Sequence, residues 1–267
     1  MKANNIFKIF KSALKISAVM AASNICFDAA ETIKNFSVGR TGEFYPWKYG
    51  NIFYTVKGTG SPVLLLHDLT PSSNGDEMSA IGNHLAASHT VYTIDLLGFG
   101  LSEKPWLTYT NYFYITLIRD FIRDVIKDKT VIYARKGACL IALQANNLLK
   151  NDIGGVFIID PCYSEKISFP KDSAFNLRKL IEIPLYGTFA YNIYSLICGF
   201  PLNKSSKHVF VSLLCGHIKT DISKFYNLID SSVKVIESTP IKKKMLDDLY
   251  YADTWVESGS LNGLNPV

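Results

Sequence analysis

Thr130-Val-Ile-Tyr-Ala-Arg-Lys-Gly-Ala-Cys139 is the stretch on which the fold of this chain turns. Val131 to Ala134 has the apolar, β-branched and aromatic character of a strand. Ala138 to Leu149 follows at once as a helix of apolar and small residues. Only a tight turn fits between them. Ala134 and Ala138, two residues either side of Lys136, are small enough to let such a turn close.

The same alternation continues outward on both sides. Val63-Leu-Leu-Leu66 is a continuous apolar run, the pattern of a strand covered on both faces. A helical stretch, Glu77 to Ala87, leads to a second strand, Thr90-Val-Tyr-Thr-Ile94. Tyr112 to Ile126 repeats apolar residues at helical spacing, with Arg119, Asp120, Arg123 and Asp124 facing out. Val156-Phe-Ile-Ile159 follows the helix from Ala138. Strand and helix in alternation predict an α/β fold, a parallel sheet with flanking helices. Ahead of it, Tyr45-Pro-Trp-Lys-Tyr49 and Ile52-Phe-Tyr-Thr-Val56 flank Gly50-Asn51 and predict a β-hairpin turning there.

After Asp160-Pro161 the rhythm stops. Residues 163 to 256 read mostly as helices, for example Ser173 to Ile183 and Lys242 to Tyr251, which predicts a helical cap. Val209-Phe-Val-Ser-Leu-Leu214 is the best candidate for a further strand. On this reading the last core strands are missing. Three regions result: an N-terminal helix in residues 1–35, a core in 36–162, and the cap with a C-terminal tail in 163–267.

Composition narrows the function. The 267 residues are 48% hydrophobic, enough for a full core, and the net charge is +5. Basic residues are dispersed apart from Lys8/Lys11/Lys15 and Lys242-Lys-Lys244, and no nucleic-acid-binding signature accompanies them, so no nucleic-acid partner is expected. Cys26, Cys139, Cys162, Cys198 and Cys215 are odd in number and form no C-x-x-C pair. That pattern argues against a structural zinc site and a disulfide framework, and neither a metal nor a cofactor is expected.

Lys8, Lys11 and Lys15 recur at helical spacing, with Ile6, Phe10, Ala13 and Ile16 on other faces. This is the pattern of a basic amphipathic helix on an anionic membrane surface. From Ile16 to Phe27 the segment is apolar and free of charge, shorter than the roughly 20 residues of a spanning helix. Membrane association, a secretory signal peptide and a plain packed helix are the three readings, so the expected location is a membrane surface, with secretion or the cytoplasm as alternatives.

Two further stretches carry a family resemblance. Tyr54-Thr-Val-Lys-Gly-Thr-Gly-Ser-Pro-Val-Leu-Leu-Leu-His67 resembles the opening of an α/β-hydrolase core of the haloperoxidase and epoxide-hydrolase type. Asp95-Leu-Leu-Gly-Phe-Gly-Leu-Ser-Glu-Lys-Pro105 is similar to that family's D-x-x-G-x-G-x-S-x-K-P loop. The resemblance implies that the turn at Lys136 is the nucleophile elbow, G-x-S-x-G, and that His67-Asp-Leu69 supplies an N–H to the oxyanion hole.

Both places depart from the family. Asp68 stands where the family has glycine after the histidine, and a carboxylate there opposes the charge an oxyanion hole must stabilise. Lys136 stands where a serine, aspartate or cysteine nucleophile belongs. Cys139 is a substitute nucleophile only in a shifted register, and Asp160 and His217 are the remaining acid and base candidates. The leading expectation is therefore a non-catalytic member of the fold. It would bind a small acyl or anionic ligand, or a partner, through His67, Asp68, Leu69, Arg135, Lys136 and Gly137. The alternatives are an ester or thioester hydrolase with an unorthodox nucleophile, and a membrane-surface interaction protein.

Overall fold

The computed structural model describes residues 11–12, 14–26, 40–70, 73–162, 186–197, 206–214, 216–223 and 225–236. A helix over residues 14–26, α1, comes first. It is followed by β1 (Glu43–Trp47), β2 (Gly50–Lys57), β3 (Ser61–Leu66), α2 (Ser79–Leu85), β4 (His89–Ile94) and α3 (Asn111–Phe121). Then come β5 (Thr130–Arg135), α4 (Ala138–Leu148), β6 (Ile153–Ile159), α5 (Tyr186–Ile197), α6 (Ser206–Leu214) and β7 (Val233–Ile236).

The strands form one seven-stranded sheet in the order β1-β2-β4-β3-β5-β6-β7. The pairs β1/β2 and β2/β4 are antiparallel; every other neighbouring pair is parallel. This is the expected α/β sheet. The chain runs from β3 to β4 on one side, then crosses to β5 on the other. The carboxyl ends of β3 and β5 therefore lie side by side, with Leu66 opposite Ala134. Such a reversal opens a crevice at the sheet's carboxyl edge, where α/β folds hold their ligands.

The apolar run of β3 is buried on both faces. Leu64 and Leu66 pack into a core with α3 and α4, while Val63 and Leu65 pack against Met78 and Leu85 on the opposite side. Every residue from Ala138 to Leu143 is buried, so the first turns of α4 are enclosed all round.

The loop from Asp95 to Pro105 is organised by one carboxylate. Asp95 is fully buried and accepts N–H bonds from Gly75 (2.7 Å) and Leu101 (2.8 Å), and one from Arg40 Nη1 (2.7 Å). Ser102 Oγ donates to the Asp95 carbonyl and accepts from the N–H of Phe53, which ties the loop to β2. Gly100 has φ +49°, and a Cβ there would stand 2.0 Å from Asp95 Oδ2. No other residue fits that position.

Four expectations are corrected. The hairpin exists, but Trp47 pairs with Gly50, so Lys48 and Tyr49 make the turn and Gly50-Asn51 begins β2. The stretch from Glu77 begins as a 3-10 turn, Gly75–Met78, and becomes α-helical only at Ser79. Val209 to Leu214 is not a strand; it belongs to α6, whose Ser212 Oγ bonds back to the His208 carbonyl and accepts from the N–H of Tyr109. Finally, one of the strands expected to be missing is present: β7 pairs in parallel with β6 over Val156–Ile159, so the region after 162 returns to the core sheet. The predicted helices at Ser173–Ile183 and Lys242–Tyr251 lie outside the described residues.

The N-terminal helix is docked on the body. Ser17 Oγ and Tyr186 Oη share a hydrogen bond of 2.8 Å, and Asn192 Nδ2 donates to Asn24 Oδ1 at 3.1 Å in a buried contact with α5. Among the described residues, no helix is long and apolar enough to cross a membrane.

Candidate functional site

The turn between β5 and α4 has the strained geometry of a nucleophile elbow. Lys136 sits at φ +46°, in the left-handed region that costs a residue with a side chain about 1 kcal/mol or more. Its N–H donates to the Ile159 carbonyl of β6 (2.9 Å), and its own carbonyl receives the Cys139 N–H (3.1 Å). Asp160, at the matching end of β6, has φ +48°, and its N–H donates to Ile236 of β7 (2.8 Å). Two strained side-chain-bearing residues thus stand at the carboxyl ends of neighbouring strands.

An elbow of this kind builds its oxyanion hole from two N–H groups. One belongs to the residue after the nucleophile position and the other to the loop after β3. The N–H groups at the corresponding places here are those of Gly137 and Leu69. Both already have an acceptor. Asp68 Oδ1 takes the Gly137 N–H at 3.0 Å and the Leu69 N–H at 2.7 Å. The other carboxylate oxygen lies 4.0 Å from Lys136 Nζ. Asp68 is buried, with a side chain 8% exposed, whereas the Lys136 side chain is 49% exposed. The Asp68 carboxylate thus lies where two backbone N–H groups, the positive end of α4 and the lysine ammonium converge.

The expected ligand residues have distinct surroundings. His67 is fully buried and structural: its Nε2 accepts the Leu96 N–H (3.0 Å), so the ring proton is on Nδ1, which donates to the Asp68 carbonyl (2.5 Å). It pins the end of β3 to the end of β4. Leu69 and Gly137 do converge, yet their N–H groups face Asp68 rather than an external anion. Arg135 turns to the other side of the turn, where Nη1 reaches the Glu77 carbonyl at 3.4 Å. Of the expected ligand residues, Gly137 and Leu69 both donate their N–H to Asp68 Oδ1.

The catalytic candidates stand in different settings. Cys139 is fully buried on the inner face of α4, its thiol donating to the Ala134 carbonyl (3.3 Å). Burial pushes that thiol well above the ordinary cysteine range, opposite to the shift that makes a nucleophile. His217 lies exposed on the turn after α6, its N–H bonded to the Ser212 carbonyl (2.9 Å). Among the described residues no cluster of histidine, cysteine and carboxylate groups is suited to a metal ion.

One contributor was invisible in the sequence. The segment after α6 lies over the elbow: a Cβ at Gly137 would stand 3.2 Å from Thr220 Cγ2. Asn111 holds this segment through Lys219, accepting its N–H (2.7 Å) and donating to its carbonyl (3.0 Å). Asp221 bridges to Cys162, whose carbonyl accepts the Ile222 N–H (2.9 Å). The Cys162 thiol is pushed up by burial and by the Asp68 and Asp221 carboxylates, with Lys136 opposing. The only sequence signal was Gly216-His217, which marks where α6 ends but not where the chain goes next.

The architecture is shared with many solved structures. An esterase from Exiguobacterium antarcticum is 15% identical, with 82% of this chain and 100% of that chain covered, at a TM-score of 0.56. A hydrolase from Pseudomonas aeruginosa is 10% identical, with 83% and 100% covered, at 0.59. A haloalkane dehalogenase from Agrobacterium tumefaciens is 14% identical, with 78% and 84% covered, at 0.54. No protein-family model matches the sequence, and comparison with curated proteins returns no match. At these identities the likeness shows the fold: this chain has the α/β-hydrolase fold.

Proposed function

We propose that this is an α/β-hydrolase-fold protein that does not turn over esters, its former active-site cleft kept for binding. The observation that carries the reading is Asp68 Oδ1, which accepts both N–H groups of the oxyanion hole. A tetrahedral intermediate formed there would meet a carboxylate in place of two donors. Loss of a single such donor costs a hydrolase about a hundred- to a thousand-fold in rate. Lys136 at the elbow and the buried thiol of Cys139 support the same conclusion from the nucleophile's side.

A fluorophosphonate probe tests the serine-type alternative, and a thiol-directed probe mapped by peptide mass tests the cysteine one. The expected result is no fluorophosphonate adduct at any residue and no modification of Cys139 in the folded chain, with the exposed Cys26 labelled as an internal control. Stoichiometric labelling of any one serine, or of Cys139, would overturn the reading.

The ligand proposal is narrower than the sequence suggested. A small acyl anion at this cleft addresses the exposed ammonium of Lys136, and it reaches the α4 N–H only by displacing Asp68.

A further inference from the structure

The docked N-terminal helix has a face with no place in the core. On α1, Leu14 (62%), Ile16 (52%), Val19 (67%) and Ile25 (66%) are all exposed. Ala18, Ala22 and Cys26 are exposed with them. Leu14, Ala18, Ala22 and Ile25 follow helical spacing and form one stripe. Lys11, Lys15, Val19 and Cys26 form the stripe beside it. The polar residues Ser17 and Asn24 face the opposite way, toward α5, where each has its partner. Tyr186, 40% exposed, stands at the edge of the contact with its hydroxyl bound to Ser17.

From these positions we propose that α1 is an in-plane membrane anchor: its outward face docks on the surface of an anionic lipid bilayer. Two observations select this occupant. The first is charge: Lys11 and Lys15 flank the apolar stripe at one end of the helix, complementary to anionic headgroups. The second is geometry. Among the described residues, no helix is long and apolar enough to cross a hydrocarbon core of roughly 30 Å. A buried hydrogen bond from Asn192 to Asn24 and a second between Ser17 and Tyr186 also hold the polar face on α5, so the helix lies along the body rather than projecting from it. A helix with an apolar outer face, a basic end and an aromatic residue at its margin sits in the interface between headgroups and chains. This surface is separate from the elbow, and its test is independent of whether the cleft is catalytic.

The experiment is co-sedimentation of the full chain with vesicles of phosphatidylcholine alone or with about a third phosphatidylglycerol. Binding is expected to the anionic vesicles, to weaken with added salt, and to fall roughly five-fold in Lys15→Glu, since one basic residue contributes about a factor of that size and its reversal at least as much. Val19→Glu with Ile25→Glu is expected to abolish it. Ala22→Glu, a small exposed position, is a second variant that leaves the α5 contact alone, and it is expected to act in the same direction with an unchanged melting curve. Failure to bind anionic vesicles overturns the proposal, as does equal binding to both vesicle types or binding that survives the glutamate substitutions. A dimer in solution that dissociates in the double variant, without vesicle binding, assigns the face to a second copy of the chain and also overturns it.

Discussion

Asp95→Ala is expected to lower the free energy of unfolding by about 3–5 kcal/mol, the usual cost of removing one partner from a buried ion pair. Asp95 is wholly enclosed and Arg40 nearly so, with side chains 0% and 10% exposed. The substitution leaves the guanidinium without that partner and orphans the N–H groups of Gly75 and Leu101, each a further cost. Asp76→Ala removes the other carboxylate on Arg40, at 2.9 Å, but its side chain is 53% exposed, so that change is expected to cost under about 1 kcal/mol. Urea unfolding of the two variants measures the contrast. Equal midpoints for both would show that the Asp95 loop is held by something other than its carboxylate.

The second large effect concerns the filled hole. Asp68→Ala is expected to unmask anion binding at the elbow, because it frees the N–H groups of Gly137 and Leu69 beside Lys136. Two backbone donors at a helix start, with an ammonium nearby, form an anion site. Acetate or octanoate is expected to bind the variant at least about ten-fold more tightly than the wild type, since charge-assisted hydrogen bonds contribute about 1.5–3 kcal/mol each. The amide resonances of Gly137 and Leu69 report it directly in a carboxylate titration. Adding Lys136→Ala should take part of the gain away. The Asp68→Ala variant is still expected to lack ester turnover, because emptying the hole supplies no nucleophile and no base. Unmoved amides in both proteins would mean that Asp68 is not standing in for an anion.

Most of the sheet is legible in the sequence because its inner strands are enclosed. β3, β5 and β6 must be apolar on both faces, and a continuous run such as Val63–Leu66 has few other readings. The Asp95 loop is legible because a carboxylate packed against Gly100 leaves no freedom in residue type. β7 is not legible. It is four residues long and is interrupted by Lys234, whose ammonium lies over the Phe157 ring, so it lacks a clean apolar signature. α6 misleads in the opposite sense. Val209, Phe210 and Val211 have strand-like side chains, yet all three are buried on a helix, Val209 within the main core, and packing overrides their preference.

At the site, residue types were readable and contacts were not. Lys136 is visible as a departure at an elbow, and Asp68 as a misplaced charge. That Asp68 folds its carboxylate onto the N–H of the next residue and of Gly137 depends on the adjacency of β3 and β5 in the sheet. The covering segment at Thr220 depends likewise on where the chain goes after α6. Such relations are set by tertiary structure, and no spacing along the chain encodes them.

The most direct measurement is steady-state hydrolysis of a p-nitrophenyl acyl ester by the intact chain and by Lys136→Ala at neutral pH. The expected result is that neither protein exceeds the buffer rate in a saturable way. Saturable turnover by the wild type that disappears in Lys136→Ala would make the elbow a working catalytic centre and contradict the closed oxyanion hole.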